Sequence, residues 1–162
     1  MLMFIYCRKI YLIFNPVYRG FFISMEKIKE DLKKQLMRHE GLRLHPYRCT
    51  EGYLTIGVGR NLDGGITEKE AMMFLENDLQ ECEAELNRVM PWWTEQPQEI
   101  QQVLLNMIFN LGAPSLMGFR KFLTFLQEKQ YDIAATEMLD SKWSEQVGSR
   151  SVELSEMVRK CQ

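Results

Sequence analysis

The sequence is poor in the residues that bind transition metals. It has two histidines, His39 and His45, and four cysteines that form no CxxC pair and no Cys/His cluster. A structural zinc site takes four ligands from such pairs or clusters. The composition therefore argues against a metal site, including one built on the two histidines that flank Glu40, and no cofactor is expected.

The sequence also lacks an apolar run of the roughly 20 residues that a membrane-spanning helix needs. Residues 1–24, "MLMFIYCRKIYLIFNPVYRGFFIS", are apolar, aromatic and basic, but arginines, a lysine and a proline interrupt them. Three interpretations stay open for this extension: a poor signal-anchor, an interfacial anchor, or upstream sequence read through from an early start codon. The last is favoured, because a more regular pattern begins at Met25, and a domain is predicted over residues 25–162.

A large excess of either charge is missing as well. The formal net charge is −2 over 162 residues, which does not favour strong electrostatic binding to nucleic acid. Hydrophobic residues make up 46% and charged residues 26%, as in ordinary globular proteins. The length suits one domain, or two small lobes that share a core, and we expect a monomer without a nucleic-acid partner.

Most of the chain carries helical patterns. Apolar residues recur every four positions from Ile28 to Leu36, and Gly41 ends that helix. A T-x-x-E capping box at 67–70 starts another helix. The apolar face from Ile100 to Leu111 predicts a buried central helix. Further helices are predicted around 119–127, around 131–139 and from about 151 to the end.

One segment has the pattern of a β-strand. The stretch "YLTIGVGR" alternates and is rich in β-forming residues, which predicts a short strand with a glycine turn at either end, and "NLDGG" after it has turn composition. The predicted fold class is therefore α+β and mostly α.

The stretch "HEGLRLHPYRCTEGYLTIGVGR" places Glu40, Cys49 and Thr55 in the pattern E-x8-C-x5-T. Glu40 falls at a helix C-terminus, where the helix dipole disfavours a second negative charge, and partial burial would raise its pKa further. A carboxyl group that keeps its proton near neutral pH can act as a general acid. The alternative is a solvent-exposed glutamate at a frayed helix end.

This stretch resembles the lysozymes of T-even phages and related phage muramidases of glycoside hydrolase family 24. Their pattern is a catalytic Glu, an Asp after eight intervening residues and a Thr after five more. The resemblance continues through "ITEKEAMMFLENDL", "LLNMIFNLGAPSLMGFRKFLTFLQEKQYDIAATEMLDSKW" and "GSR", from about Met25 to near the C-terminus. The chain departs from the family at Cys49, where the family has Asp, and at Arg60, where the usual "GIGH" ends in His.

The resemblance implies a lysozyme-like fold, with a small β-lobe and a helical lobe joined through a helix and a cleft between them. It also implies hydrolysis of the β-1,4 bond between N-acetylmuramic acid and N-acetylglucosamine in bacterial peptidoglycan. Such a protein would be made in the cytoplasm of a bacterial host and act on the cell wall in the periplasm. A membrane partner is not expected, apart from a weak N-terminal anchor.

The resemblance also assigns roles within the motif. Glu40 would protonate the leaving oxygen, and Thr55 would hold the attacking water. Cys49 would accept a hydrogen bond as a thiol, stabilise positive charge on the sugar as a thiolate, or only fill the space of the family's Asp. A thiol with the ordinary pKa of about 8.5 is mostly neutral at pH 7, and Arg48 or Arg60 are candidates to lower it.

Further substrate-binding residues are expected along the central helix and near the C-terminus. Asn106 and Asn110 lie one helical turn apart, on the same face of the helix. They either line the floor of the cleft or form hydrogen bonds with polar groups of the core. Arg150 would orient Glu40 across the cleft, or lie on the surface. The three tryptophans are expected to anchor the core rather than to stack on sugars: Trp92, Trp93 and Trp143.

A second class of function stays open. A lysozyme fold with weak or no activity could serve as a cell-wall-binding or interaction module. Cys49 in place of Asp and the net charge of −2 favour this alternative, because bacterial walls are usually anionic. The retention of both Glu40 and Thr55 favours the enzyme. A disulfide between Cys7 and Cys49, which would block the cleft until reduced, is a further option.

Overall fold

The computed structural model describes the backbone of residues 16–161 and the side chains of residues 24–161. The chain divides into two units, Met1–Ile66 and Thr67–Gln162. Cys7 and most of the predicted N-terminal extension lie outside the described residues. Within the described part of the chain, no helix is long and apolar enough to cross a membrane.

In the described part of the first unit, a long helix is followed by a three-stranded antiparallel sheet in the order β1-β2-β3. Its elements are α1 (Pro16–Glu40), β1 (Arg43–Arg48), β2 (Leu54–Gly57) and β3 (Arg60–Asn61). The helix ends where predicted, because Gly41 adopts φ +75°, a left-handed conformation that glycine tolerates without strain. The Gly41 amide donates to the Met37 carbonyl at 3.1 Å.

Helix α1 begins earlier than the pattern predicted. It starts at Pro16 instead of Met25, and proline suits the first position of a helix because its missing N–H has no intrahelical partner there. The stripe that predicted this helix is exposed along its length. The repeat therefore identified the helix but not a buried face. The predicted domain boundary at residue 25 remains a prediction.

Strand β1 was not predicted, and its sequence explains why. "RLHPYR" has three charged or imidazole side chains and a proline, which cannot donate to a strand ladder. The structure accommodates Pro46 because β1 is an edge strand whose register against β2 shifts between Arg43 and Tyr47. The Arg43 guanidinium also lies 4.2 Å from the centre of the Tyr47 ring.

The second unit is helical. Its elements, in chain order, are α2 (Glu68–Val89), a 3-10 helix (Pro91–Glu95), α3 (Gln98–Leu111), α4 (Ala113–Met117), α5 (Arg120–Gln127), α6 (Tyr131–Leu139), α7 (Lys142–Val147) and α8 (Ser149–Arg159). The four longer predicted helices after the sheet are confirmed in place, together with a helix at the C-terminal end. The short helices α4 and α7 were missed, because five or six residues do not show a helical period.

The predicted capping box at the start of α2 is present in both directions. The Glu70 amide donates to Thr67 Oγ1 at 3.3 Å, and the Thr67 amide donates to Glu70 Oε2 at 2.8 Å. Two amides that have no intrahelical partner at a helix N-terminus are thereby satisfied. The capping box therefore sets Thr67 as the N-cap and Glu68 as the first residue of α2.

Helix α3 forms the centre of the core of the second unit, as predicted. It packs against α2 and α8, while α6 packs against α5 and α8. The cap at Gly112 is also confirmed, with φ +73° and its amide 2.8 Å from the Ile108 carbonyl. The residues that α3 buries are Ile100, Val103, Leu104, Met107 and Ile108. The helical core and the small antiparallel sheet confirm the predicted α+β, mostly α fold class.

Candidate active site

Glu40 is the last residue of α1, and its carboxylate lies beside the turn that joins β2 to β3. A Cβ atom built on Gly59 in that turn would lie 3.7 Å from Glu40 Oε2. The expectation of partial burial is wrong, since the Glu40 side chain is exposed. Gly59, which lies beside the carboxylate, has no side chain that could cover it.

Cys49 and Thr55 meet at the other end of β2. Cys49 follows β1 directly and is partly buried, whereas Thr55 lies within β2 and is 5% exposed. The Thr55 hydroxyl donates to the Tyr53 carbonyl at 3.1 Å, and the Cys49 amide donates to the same carbonyl at 3.0 Å. The pairing of β1 with β2 sets Tyr47 opposite Thr55 and so carries the thiol back to the strand. The tertiary structure therefore joins two of the three residues of the motif.

The environment of Cys49 lowers the pKa of its thiol. Desolvation alone raises that pKa, but hydrogen bonds from the backbone amides of Glu51 and Tyr53 and from the Thr55 side chain outweigh it. Hydrogen bonds to the charged form of a group favour that form. Backbone amides and a hydroxyl group thus provide the stabilisation that the sequence had assigned to arginines.

The loop between β1 and β2 explains how these amides reach the sulfur. The Cys49 amide donates to the Tyr53 carbonyl at 3.0 Å, and the Gly52 amide donates to the Cys49 carbonyl at 2.9 Å. Arg48 Nη1 donates to the Gly52 carbonyl at 2.8 Å, so this arginine stabilises the loop. Gly52 itself has φ +88°, which only glycine adopts readily.

The three predicted substrate-binding residues lie in the second unit. Asn106 and Asn110 are on α3, and Arg150 is exposed in the first turn of α8. Asn110 Oδ1 accepts a hydrogen bond from Trp143 Nε1 at 2.7 Å, which agrees with the core-satisfying alternative for that oxygen. Asn106 Oδ1 is buried and has no hydrogen-bond partner among the described residues.

The tryptophans serve the core, as predicted. Trp93 and Trp143 are 4% and 5% exposed, and Trp92 packs against the same core. Each of the two buried indoles has a partner for its N–H group, since Trp93 Nε1 donates to Asn87 Oδ1 at 2.8 Å. A buried indole that keeps its hydrogen bond is the usual solution for this side chain.

We expect Asn110→Ala to lower the free energy of unfolding by about 0.5–1.5 kcal/mol, because it removes the acceptor of the Trp143 N–H in a partly buried hydrogen bond. Asn110→Asp keeps an oxygen at this position and is the matched control, with a smaller loss. Urea unfolding followed by tryptophan fluorescence measures both. Equal stability of Asn110→Ala and the native chain would show that the hydrogen bond adds nothing to the fold.

Sequence reasoning missed the groups that position the thiol. They are the backbone amides of Glu51 and Tyr53, which no side-chain motif reveals. The signal available in the sequence was the loop "CTEGY", in which a glycine follows two polar residues and marks a tight turn. A turn of that length can direct its amides back onto its first residue, Cys49.

Comparisons with known proteins cover both units. The family model described as Phage lysozyme matches residues 37–160. The chain is 29% identical over 150 residues to probable T4-type lysozyme 1 of Dictyostelium discoideum, covering 74% of this chain and 88% of that protein. It is 32% identical over 124 residues to the endolysin of Salmonella phage P22, covering 71% of this chain and 83% of the endolysin.

A third relative is much longer than this chain. The pre-baseplate central spike protein Gp5 of Enterobacteria phage T4 is 28% identical over 149 residues, which cover 74% of this chain and 26% of Gp5. The chain thus spans about a quarter of Gp5 and most of the other two relatives. Every candidate site residue, from Glu40 to Arg150, falls inside the matched family range.

Proposed function

The chain belongs to the phage lysozyme family, and from this premise we propose that it hydrolyses the β-1,4 bond between N-acetylmuramic acid and N-acetylglucosamine in bacterial peptidoglycan. Glu40 donates the proton to the leaving oxygen. Cys49 and Thr55 position the attacking water. The reaction releases wall fragments and lyses the bacterium. The chain is made in the cytoplasm of a bacterial host and acts on the wall in the periplasm.

The observation that carries this proposal is that Cys49 and Thr55 meet at one carbonyl: Tyr53 O accepts from the Cys49 amide at 3.0 Å and from Thr55 Oγ1 at 3.1 Å. An inverting glycosidase needs an acid on one side of the bond and a group on the opposite face that holds water, about 6.5–9.5 Å away. A hydroxyl group and a sulfur with lowered pKa provide two hydrogen-bonding groups for one water molecule. Glu40, exposed at its helix end, is free of the cover that would keep a sugar from reaching it.

The sulfur adds an electrostatic contribution as well. Because its pKa is lowered, a larger share of Cys49 is thiolate at neutral pH than in an ordinary cysteine. A negative charge near the reacting sugar stabilises the oxocarbenium-like transition state. Cys49 can therefore supply both functions of the carboxylate that the family's pattern has at this position.

Asn106, Asn110 and Arg150 are the proposed substrate-binding residues. The oxygen of Asn110 is engaged with Trp143, so the amide N–H groups are the part of this side chain that would donate to sugar hydroxyl or acetamido groups. Arg150 is exposed and brings a positive charge, which suits a carboxylate of the peptidoglycan.

The experiment that tests the function is the clearing of permeabilised Gram-negative cells, followed by mass spectrometry of the soluble products. Cleavage on the proposed bond leaves N-acetylmuramic acid at the reducing end. Products that end in N-acetylglucosamine would overturn the bond assignment. Binding to purified walls without release of any fragment would instead support the wall-binding module as the function.

We expect a chain that starts at Met25 to fold and to clear permeabilised cells at the rate of the full chain. Residues 1–24 lie outside the matched family range, and Met25–Glu40 still supplies the helix that ends at the proposed acid. Circular dichroism melting and the clearing assay, run beside the full chain, measure the effect. Loss of a cooperative melt would show that the extension belongs to the core.

A further inference from the structure

On its β3 side, strand β2 forms one more hydrogen bond than the backbone of β3 provides, and the donor is the Leu54 amide. Strand β3 is only two residues long, and its last pair sets Asn61 opposite Thr55. Beyond that pair the Leu62 amide still donates to the Leu54 carbonyl at 2.7 Å. The N–H and C=O of one residue in a strand point to the same side, so the Leu54 amide also faces the segment after β3.

The Asp63 carboxylate takes the place of the missing backbone acceptor. The Leu54 amide donates to Asp63 Oδ2 at 3.2 Å. The Asp63 amide in turn donates to Asn61 Oδ1 at 2.8 Å, which holds the backbone of residue 63 in the position that directs its carboxylate toward β2. Asp63 therefore extends the ladder by one hydrogen bond through its side chain.

Tyr53, which directly precedes Leu54, forms hydrogen bonds with both Cys49 and Thr55. The Tyr53 carbonyl accepts from the Cys49 amide at 3.0 Å and from Thr55 Oγ1 at 3.1 Å. A hydrogen bond from the Tyr53 amide is also one of the causes that lower the pKa of the Cys49 thiol. A displacement of the backbone at residues 53 and 54 would move the amide, the thiol and the hydroxyl relative to one another.

We propose that Asp63 is a positioning residue, which holds the Tyr53–Leu54 backbone so that Cys49 and Thr55 keep their mutual geometry. Asp63 acts through the Leu54 amide and does not contact substrate. The proposal rests on the proposed function for its catalytic consequence, but the geometry of the thiol can be measured without any substrate.

The test uses the full chain in four forms: native, Asp63→Ala, Asp63→Asn and Asp31→Ala. Asn keeps an oxygen acceptor for the Leu54 amide, and Asp31→Ala removes an exposed carboxylate from α1 as the matched control for charge. The first measurement is the rate of alkylation of Cys49 by iodoacetamide against pH, resolved by mass spectrometry. The second is kcat and KM for the release of fragments from purified peptidoglycan.

We expect Asp63→Ala to move the midpoint of alkylation upward, toward the ordinary thiol value of about 8.5, because the sulfur loses well-placed donors. We also expect its kcat to fall by roughly 10- to 100-fold, with a smaller change in KM, since a small misplacement of reacting groups has effects of that size. Asp63→Asn and Asp31→Ala should keep both the midpoint and the kcat of the native chain.

An unchanged midpoint in a folded Asp63→Ala variant would overturn the proposal and leave Asp63 as a loop residue only. If that variant does not fold, Asn61→Ala decides in its place, since it releases the backbone of residue 63 and should shift the midpoint in the same direction. A shifted midpoint in a chain that releases no fragments in any form would uphold the positioning role and reject the proposed function.

Discussion

Glu40→Gln is expected to lower the rate of cell lysis by roughly 10²–10⁴-fold, which is the usual contribution of general acid catalysis. Gln keeps the shape of the side chain and its hydrogen-bonding oxygen but has no proton to give to the leaving group. The fold should survive, because the Glu40 side chain is exposed and lies beside a glycine. The clearing rate of permeabilised cells measures the effect.

Glu26→Gln is the matched control, because it removes one exposed carboxylate from the same helix. It should clear cells at the native rate. Circular dichroism melting of both variants separates a loss of chemistry from a loss of fold. Clearing at the native rate by a folded Glu40→Gln variant would show that another group donates the proton.

The second large effect concerns the thiol. We expect iodoacetamide to inactivate the protein near neutral pH through Cys49, and the rate of inactivation to be half-maximal below the ordinary thiol pKa of about 8.5. The direction follows from the lowered pKa of Cys49, since a lower pKa places the thiolate at a lower pH. A bulky adduct on this sulfur would also fill the position that the proposed mechanism assigns to the attacking water.

The other described cysteines should react more slowly. Burial, together with the nearby Asp78 and Glu81, raises the pKa of Cys82, and burial, together with Glu99, raises that of Cys161. A chain with Cys7, Cys82 and Cys161 changed to Ser should keep both its activity and its sensitivity to the reagent. Site-resolved mass spectrometry against pH establishes the order of labelling.

Substitutions of Cys49 distinguish a catalytic role of its thiol from a role in which the side chain only fills space. Cys49→Asp should retain activity and resist the reagent, because a carboxylate accepts amide hydrogen bonds and bears the negative charge of the thiolate form. Cys49→Ala should lose most activity while keeping the fold. Full activity after complete labelling of Cys49 would reject the catalytic role of the thiol and leave Glu40 and Thr55 to carry the chemistry.

The sequence was enough to predict which side chains form the candidate site. It was not enough to predict which groups those side chains contact. The spacing from Glu40 to Thr55, set against a familiar pattern, predicted an acid, a thiol and a hydroxyl group as the catalytic groups, and these roles stay predictions. The same reasoning expected Glu40 to be partly buried and arginines to assist Cys49. Both expectations depended on which neighbours the fold brings to each group, and the neighbours are a glycine turn and backbone amides.

The sequence by itself determined where most of the helices lie, because capping residues and the helical period act within a few residues of chain. Thr67 with Glu70, Gly41 and Gly112 needed no distant partner to fix their helix ends. Strand β1 was decided only by tertiary structure, since "RLHPYR" has no strand pattern and becomes a strand by pairing with β2. The geometry of Cys49 and Thr55 depends on the same pairing, because the hydrogen bonds between these two neighbouring strands fold the loop so that the thiol and the hydroxyl group lie together.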